Sequence, residues 1–555
     1  MANLTYTEFL EELERRLESL SVDDFKNIFL KKARKVHPDL RCEFLAQFNK
    51  SGMEDSSRLS CDAIMAELAA FIQRLEDGDY CSGWEWDPVY QEEREWGDES
   101  WAREMDRFFL LAREMLFLGE TKQAEEVYSQ LFSALELGRE PGHLPGDPEC
   151  TNMLDVDMDE HLALFCRAIY FNSPPEKRAE RLFQTINEYD DFDRGLSLKE
   201  IMGAQDKRLP DFHRFLQDWL ELLKDQPQSF VSSLIREAVF LQGGVNAVAD
   251  LARQNPEEYP LAYLDWIAAL DPDDTEGICQ VAREGLAKIP RDYAVRAQVA
   301  DVLAKLGGRL RDDQLQLEGC RERFISHPTL EHLVDLYLSA LAVDSFEEIC
   351  ELAADRIREL EQAERPDSNN HERKTSSVAG DVAAHVFLLG GRYEEAVSRC
   401  EEKSSLGWSY STNPKPVVLV FLLKLLAGRA EHTRFVEKFW ERTVRVSDAY
   451  LQKYTSVMET IQEKIPISGE QEEFFLNWCI GQVKERADAI VSNKYRSSYD
   501  KAAEILVALA EVLTAKGRGG ISLIEEYHLK FQRYNAFRKE LRRAAAELGF
   551  VNKRK

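Results

Sequence analysis

The apolar residues of this 555-residue chain recur with a helical period over almost every long segment, and this pattern restricts the fold more than any other feature. In Trp101–Leu118 the predicted buried stripe is Phe108, Leu111, Met115 and Leu118. Gly119 then ends that helix. In the following segment, Thr121–Leu137, the predicted buried face is Ala124, Val127, Tyr128, Leu131 and Ala134. Two such amphipathic segments around a short turn predict a helical hairpin.

Predicted hairpins recur at intervals of roughly 35–45 residues, which is typical of stacked helical repeats. The others lie at residues 261–289, 330–360, 381–400 and 498–548, the last with a single second helix from Leu523 to Leu548. Strand signals are nearly absent. The predicted fold is therefore all-α, an α-solenoid of antiparallel helical hairpins. Its predicted segments are residues 1–80, 81–140 with the first hairpin, 150–365, and 375–555 with a basic end.

Two hairpins resemble tetratricopeptide repeats, in which small residues allow close helix contact. LFLGETKQAEEVYSQLF supplies Gly119, Ala124 and Tyr128, and LLGGRYEEAVSRC supplies Gly391 and Ala396, with Cys400 where that family has an aromatic residue. A third stretch, VAREGLAKIPRDYAVRAQVADVLAKLGG, has Gly285 and Pro290 at similar places. With this resemblance, we expect a scaffold, adaptor or regulator that presents a concave, largely acidic helical-repeat surface to another protein.

The last helices look like the helical tail of some bacterial SWIM-type zinc-finger proteins. The stretches that carry this likeness are IVSNKYRSSYDKAAEILVALAEVLTAKG and IEEYHLKFQRYNAFRKELRRA. The resemblance implies a bacterial protein and a helical scaffold. It does not extend to the zinc finger, because the sequence has neither a CxC pair nor a CxH pair.

Charge is distributed unevenly along the chain, whose net charge is −29. Residues 51–160 contain 28 acidic and 8 basic side chains, whereas residues 530–555 contain 9 basic and 2 acidic side chains. A molecule this acidic is repelled by phosphate backbones and anionic membranes unless a basic patch acts locally. The charge therefore disfavours nucleic acid and membranes as partners, and it favours a protein with a basic surface.

Four of the nine tryptophans lie within the most acidic part of the chain. The predicted partner-binding residues there are Trp84, Trp86, Trp96, Trp101, Glu92, Glu93 and Glu95. Aromatic rings among carboxylates suit a basic partner through ring burial and cation–π contact. In the alternative interpretation, the rings only attach an irregular connection to the first helical hairpin.

The basic end of the chain gives an alternative function, that of a nucleic-acid-associated regulator. The possible contacts are Arg538, Lys539, Arg542 and Arg543, with Phe531, Tyr534 and Phe537 as stacking groups. The competing interpretation is that these aromatic residues face the preceding helix and that the charges form a solvated face.

A third alternative rests on His37-Pro38-Asp39, which follows the basic stretch Lys32-Ala33-Arg34-Lys35. A basic helix followed by this triplet resembles the J-domain of co-chaperones that stimulate a heat-shock ATPase. The third helix of a J-domain is not recognisable in residues 41–52. The preferred interpretation is therefore that Pro38 merely ends a helix.

Alternating acids at Asp155, Asp157 and Asp159 resemble a calcium loop. That loop needs glycine at its sixth position and a carboxylate at its twelfth, where this chain has Glu160 and Cys166. An acidic helix start, with carboxylates near the positive end of the helix dipole, is the preferred interpretation.

No catalytic motif is recognisable: GxSxG, a Walker A loop, HExxH and GxGxxG are all missing from the sequence. The ten cysteines form no CxxC pair, and no apolar run approaches the ~18–20 residues of a membrane span. The longest apolar run, Pro416–Ala427, is interrupted by Lys424. We therefore expect a non-catalytic, cytoplasmic protein without cofactor or metal, in an oligomeric state that the sequence leaves open.

Overall fold

The computed structural model describes residues 61–87, 92–147, 149–189, 196–362, 380–401, 406, 413–428, 433–444 and 446–547. The chain divides into two compact units, one ending at Asp218 and the other beginning at Trp219. The four segments predicted from the sequence have other boundaries and stay a prediction.

The first unit combines six helices with one β hairpin among its described residues. Its elements are α1 (Cys61–Glu76), β1 (Cys81–Asp87), β2 (Glu92–Gly97), α2 (Ser100–Leu118), α3 (Thr121–Gly138), α4 (Met158–Asn172), α5 (Arg178–Glu188) and α6 (Leu198–Gly203). A further helix, α7 (Phe212–Lys224), spans the division between the units. The predicted hairpin of α2 and α3 is confirmed, and α4 packs on α3 after it.

The second unit continues the succession of helices. They are α8 (Gln228–Gln254), α9 (Ala262–Ala268), α10 (Thr275–Lys288), α11 (Ala294–Leu310), α12 (Asp313–Ser326), α13 (Leu330–Ala342), α14 (Phe346–Gln362), α15 (Gly380–Leu389), α16 (Tyr393–Glu401), α17 (Lys415–Ala427), α18 (Arg434–Thr443), α19 (Asp448–Lys464), α20 (Gly469–Ser492), α21 (Tyr499–Ala515), α22 (Gly520–Lys530) and α23 (Asn535–Glu547). From α8 to α16 each helix packs against the next one in sequence. The predicted all-α fold of helical hairpins is thereby confirmed.

Local sequence explains where many of these helices begin. Asp157 precedes α4, and its carboxylate accepts hydrogen bonds from the backbone N–H groups of Asp159 and Glu160 at 3.1 and 3.2 Å. Ser197 and Ser468 each form a capping box, in which the serine and the residue three positions later satisfy each other's backbone N–H. These caps supply acceptors for N–H groups that have no partner within the helix.

Ion pairs join every second helix along much of the stack. Arg253 of α8 contacts Glu284 of α10 at 2.8 Å, and Arg283 of α10 contacts Glu318 of α12 at 2.6 Å. Further pairs of this kind are Arg358–Glu395, Arg399–Glu361, Lys484–Glu526 and Lys530–Asp488. Each is at least partly exposed, so each contributes about 0–1 kcal/mol. Their regular spacing, 31 to 42 residues, follows the hairpin repeat.

The last part of the second unit packs around two apolar helices, α17 and α21. Helix α17 is buried from Lys415 to Leu423 and again from Leu425 to Ala427. Apolar residues on all sides of a helix require neighbours on all sides, and α18, α20 and α21 supply them here. The longest apolar run of the sequence is therefore a core helix. Among the described residues, no helix is both long enough and apolar enough to cross a membrane.

Two predictions about individual segments were wrong. Leu118 is 67% exposed, because ten residues after Phe108 it has rotated away from the buried stripe of α2. The predicted single helix from Leu523 to Leu548 is two helices, α22 and α23. The break lets α23 fold back so that Phe537 packs edge-on against Tyr499 of α21, with ring centroids 5.8 Å apart. Burial of an aromatic ring outweighs continuation of one exposed helix.

Candidate protein-binding site

The tryptophan-rich stretch forms an antiparallel β hairpin between α1 and α2. Its register pairs Trp84 with Glu95 and Gly83 with Trp96, and it shifts between Cys81 and Gly83. Residues directly opposite each other share a face of the sheet, whereas neighbours in one strand alternate faces. Trp84 and Trp86 therefore lie on one face and Trp96 lies on the other. The alternative interpretation of this stretch assumed an irregular connection, whereas the structure has two paired strands here. The spacing of Trp84 and Trp86 by two residues is a strand signal.

Three of the four predicted tryptophans are exposed on this hairpin. The exposed fractions of their side chains are 56% for Trp84, 61% for Trp86 and 44% for Trp96. Trp101 is 0% exposed and lies in α2, where its indole N–H donates to the carbonyl of Pro145 at 3.0 Å. Trp101 is thus a core residue, which corrects its inclusion among the partner-contacting residues.

The base of the hairpin is fixed to α1 and α2 by hydrogen bonds and an ion pair. The Tyr80 hydroxyl donates to Glu104 at 3.1 Å, and Arg74 pairs with the same carboxylate at 2.6 Å. Burial and the nearby Glu104 carboxylate raise the pKa of Tyr80 to about 12. Tyr80 immediately precedes β1, so these contacts attach the hairpin to α1 and α2 at the end that lies away from Trp86.

The predicted acidic residues do not all have the same role. Glu95 accepts a hydrogen bond from the backbone N–H of Gly142 at 3.0 Å, so it also holds the loop after α3 against the hairpin. Asp98 accepts from the backbone N–H of Ser100 at 2.9 Å, and this hydrogen bond lowers the pKa of Asp98. The side chains of Glu92 and Glu93 lie outside the described residues. The stretch from residue 81 to residue 99 carries seven acidic side chains and one basic side chain.

Of the predicted repeat-packing residues, Ala124, Tyr128 and Ala396 are buried in helices, whereas Gly119 and Gly391 lie in turns. Gly119 ends α2 with φ of 88°, a left-handed conformation that glycine adopts at little cost. Ala124 and Tyr128 of α3 are fully buried. Gly391 has φ of 72° in the turn after α15, and Ala396 of α16 is buried.

The basic residues of α23 lie at the surface, apart from the half-buried Arg538. The Arg538 guanidinium donates to His528 Nδ1 at 3.1 Å, and Arg543 pairs with Glu540 at 2.8 Å. Lys539 and Arg542 are exposed. Of the proposed stacking groups, Phe531 and Phe537 are buried and Tyr534 is half-buried. The aromatic residues thus belong to the helix packing.

The remaining sequence motifs have no open site among the described residues. His37-Pro38-Asp39 lies outside those residues. Asp157 caps α4, as the helix-start interpretation predicts. Within the described part of the chain, no group of three or more His, Cys, Asp or Glu side chains is arranged to hold a metal ion.

Two buried histidines are packed against tyrosines. His161 Nδ1 lies 3.1 Å from the Tyr128 hydroxyl, and His385 Nδ1 lies 2.7 Å from the Tyr454 hydroxyl. Burial lowers the pKa of His161 to about 4 and that of His385 to about 3. Both rings are therefore neutral at physiological pH and serve as core hydrogen-bonding groups.

Comparisons with known proteins identify neither a family nor an activity for this chain. No protein-family model matches the chain, and no curated protein matches it. Among solved structures, one match is a "Circular tandem repeat protein with novel repeat topology and enhanced subunit contact surfaces". The sequences are 13% identical, and the alignment covers 88% of this chain and 99% of that one, with a TM-score of 0.18. At that TM-score the match does not indicate a shared fold. The succession of helical hairpins in this chain itself defines an all-α helical-repeat protein. The likeness of its last helices to SWIM-type proteins gains no support.

Proposed function

We propose that this protein is a non-catalytic scaffold or adaptor that binds a basic partner protein through its acidic, tryptophan-bearing hairpin, which we name the Trp hairpin (residues 81–97). The observation that carries the proposal is the exposure of Trp84, Trp86 and Trp96, between 44% and 61%, on a short sheet attached to a rigid helical stack. Exposed indoles are costly to leave in water, and tryptophan is the residue most often found at the energetic centre of an interface.

Charge supports a basic partner. The Trp hairpin and its flank to residue 99 carry a net charge of −6. A negative surface speeds association with a positive one, and an indole face attracts lysine and arginine side chains. The ordinary role of helical repeats, which is to present surfaces to other proteins, agrees with this proposal.

The test is a titration of the whole protein with fluorescein-labelled lysine-rich peptides, followed by anisotropy at low and high salt. Replacing Trp84, Trp86 and Trp96 together by alanine is expected to weaken binding at least ~10-fold. The control is Leu529→Ala, which removes an equally exposed apolar side chain, 65% exposed, in the second unit. Equal affinity of the triple variant and the wild type would reject the proposal.

A second candidate function, contact with nucleic acid, rests on the exposure of Lys539, Arg542 and Arg543 on α23. The burial of Phe531 and Phe537 removes two of its three stacking groups. Gel-shift experiments at low salt with Lys539→Glu/Arg543→Glu test this function. They are preferable to truncation, which would also remove the buried Phe537 and Leu541. Equal mobility shifts for both proteins would exclude it.

A further inference from the structure

The Trp hairpin is a two-stranded sheet on the surface of an otherwise helical protein. Among the described residues, β1 and β2 pair only with each other. Each strand of such a pair uses half of its backbone N–H and C=O groups inside the sheet and presents the other half at its outer edge. These edges are ready to pair with a further extended chain, and natural proteins commonly cover or charge an edge that is not meant to be used.

The outer edge of β1 is the better of the two for such pairing. Trp84 and Trp86 stand on one face of this strand, about 7 Å apart, which is the spacing of alternate residues in any strand that pairs with it. Between them and Cys81 lies Gly83, where an added Cβ would meet no atom within 4 Å. Strand β2, by contrast, carries one tryptophan, Trp96, so it does not present a pair of indole rings at this spacing.

The spacing of Trp84 and Trp86 and the negative charge around them define the kind of strand that would pair with β1. A strand paired with β1 places every second side chain beside Trp84 and Trp86, so lysine or arginine at alternate positions would lie against the indole rings. The net charge of −6 around the Trp hairpin favours such a segment. It disfavours a second copy of this chain, whose hairpin carries the same charge.

We propose that β1 binds an extended segment of the partner, with basic residues at alternate positions, as a third strand of the sheet. This proposal rests on the proposed function, since it specifies how the basic partner is held. Main-chain hydrogen bonds would supply affinity, and the indoles would select alternate cationic side chains.

The experiment compares two labelled nine-residue peptides of alternating lysine and valine, one unmodified and one with N-methyl groups on two adjacent central residues. Two adjacent N-methyl groups remove an N–H from both edges of the strand while leaving charge and side chains unchanged. We expect the unmodified peptide to bind at least ~10-fold more tightly. We also expect it to slow hydrogen exchange in residues 81–87.

The outcomes separate the two proposals. If both peptides bind equally and both lose affinity in the triple tryptophan variant, strand addition is wrong and the proposed function stands. If slowed exchange is confined to residues 92–97, pairing with β1 is wrong. If neither peptide shows binding that depends on the tryptophans, the proposed function itself fails.

Discussion

Glu511 is a buried carboxyl group whose protonation should control the stability of the second unit. It lies in α21, is 2% exposed, and accepts hydrogen bonds from the backbone N–H groups of Phe435 and Val436 at 2.9–3.1 Å. It thereby caps the first turn of α18, which has no side-chain cap of its own. Burial, with a smaller contribution from the nearby Glu437 carboxylate, raises the pKa of Glu511 to about 7.

The sign of the effect follows from linkage. The folded state holds this proton more tightly than the unfolded chain does, where the pKa is the ordinary 4.5. The stabilisation by Glu511 is therefore fully present below pH 4.5, and it is lost as the pH rises through 7. Integrated between these values, the loss is about 3 kcal/mol from this group alone.

We expect Glu511→Gln to remove this pH dependence, because the amide stays neutral and keeps one oxygen for the N–H groups of α18. The measurement is urea-induced unfolding, followed by circular dichroism, of wild type and variant between pH 5 and pH 8. The difference in unfolding free energy between the two should change by about 2–3 kcal/mol over this range in favour of the variant.

The control for this experiment is Glu525→Gln, which neutralises an exposed carboxylate of α22. Its stability difference from wild type should stay nearly constant over the same pH range. If the difference between wild type and Glu511→Gln is equally constant, Glu511 is ionised throughout and the reasoning from burial is wrong.

Three further substitutions, one of them with a matched control, test the packing. Gly319→Ala should lower the free energy of unfolding in urea by ~1–3 kcal/mol, because the new Cβ would lie 2.2 Å from the backbone nitrogen of Ala304. Its control is Gly481→Ala, which has open space around the new Cβ and should leave that free energy unchanged or raise it. Arg167→Met should cost about 3 kcal/mol or more, since the fully buried guanidinium donates to three carbonyl groups; a melting temperature equal to that of wild type would contradict this. Ala124→Phe should cost ~1–3 kcal/mol by overpacking the contact of α2 with α3, and unchanged thermal stability would show that this contact has room.

Sequence periodicity predicted the helical hairpins because their information is local. The face of α3 from Ala124 to Ala134 is buried as predicted, and Gly119 ends α2 where the pattern stops. The Trp hairpin was missed since each strand is only six or seven residues long, too short for its alternation to stand out among helical signals. The sequence grouped Trp101 with Trp84, Trp86 and Trp96 by composition, although the predicted helix from Trp101 to Leu118 already contained it; the structure separates the buried Trp101 from the three exposed indoles.

Contacts between residues distant in sequence could not be predicted from local sequence patterns. The carboxylate that caps α18 comes from a residue 76 positions away, and no local pattern links Glu511 to Phe435. The break between α22 and α23 likewise depends on the contact of Phe537 with Tyr499, which is far from it in sequence. Both features depend on residues that are distant in sequence and become neighbours only in the tertiary structure.

One contact in the second unit joins two helices that are synthesised at very different times. The Tyr450 hydroxyl of α19 donates to Asp335 of α13 at 2.8 Å, across 115 residues, and Lys453 pairs with the same carboxylate. At a translation rate of about 5–20 residues per second, Asp335 is added to the chain roughly 6–23 s before Tyr450. During that interval the side of α13 destined for α19 is bare. Until α19 has been made, the second unit therefore lacks the partner of the Asp335 carboxylate that Tyr450 and Lys453 supply in the finished fold.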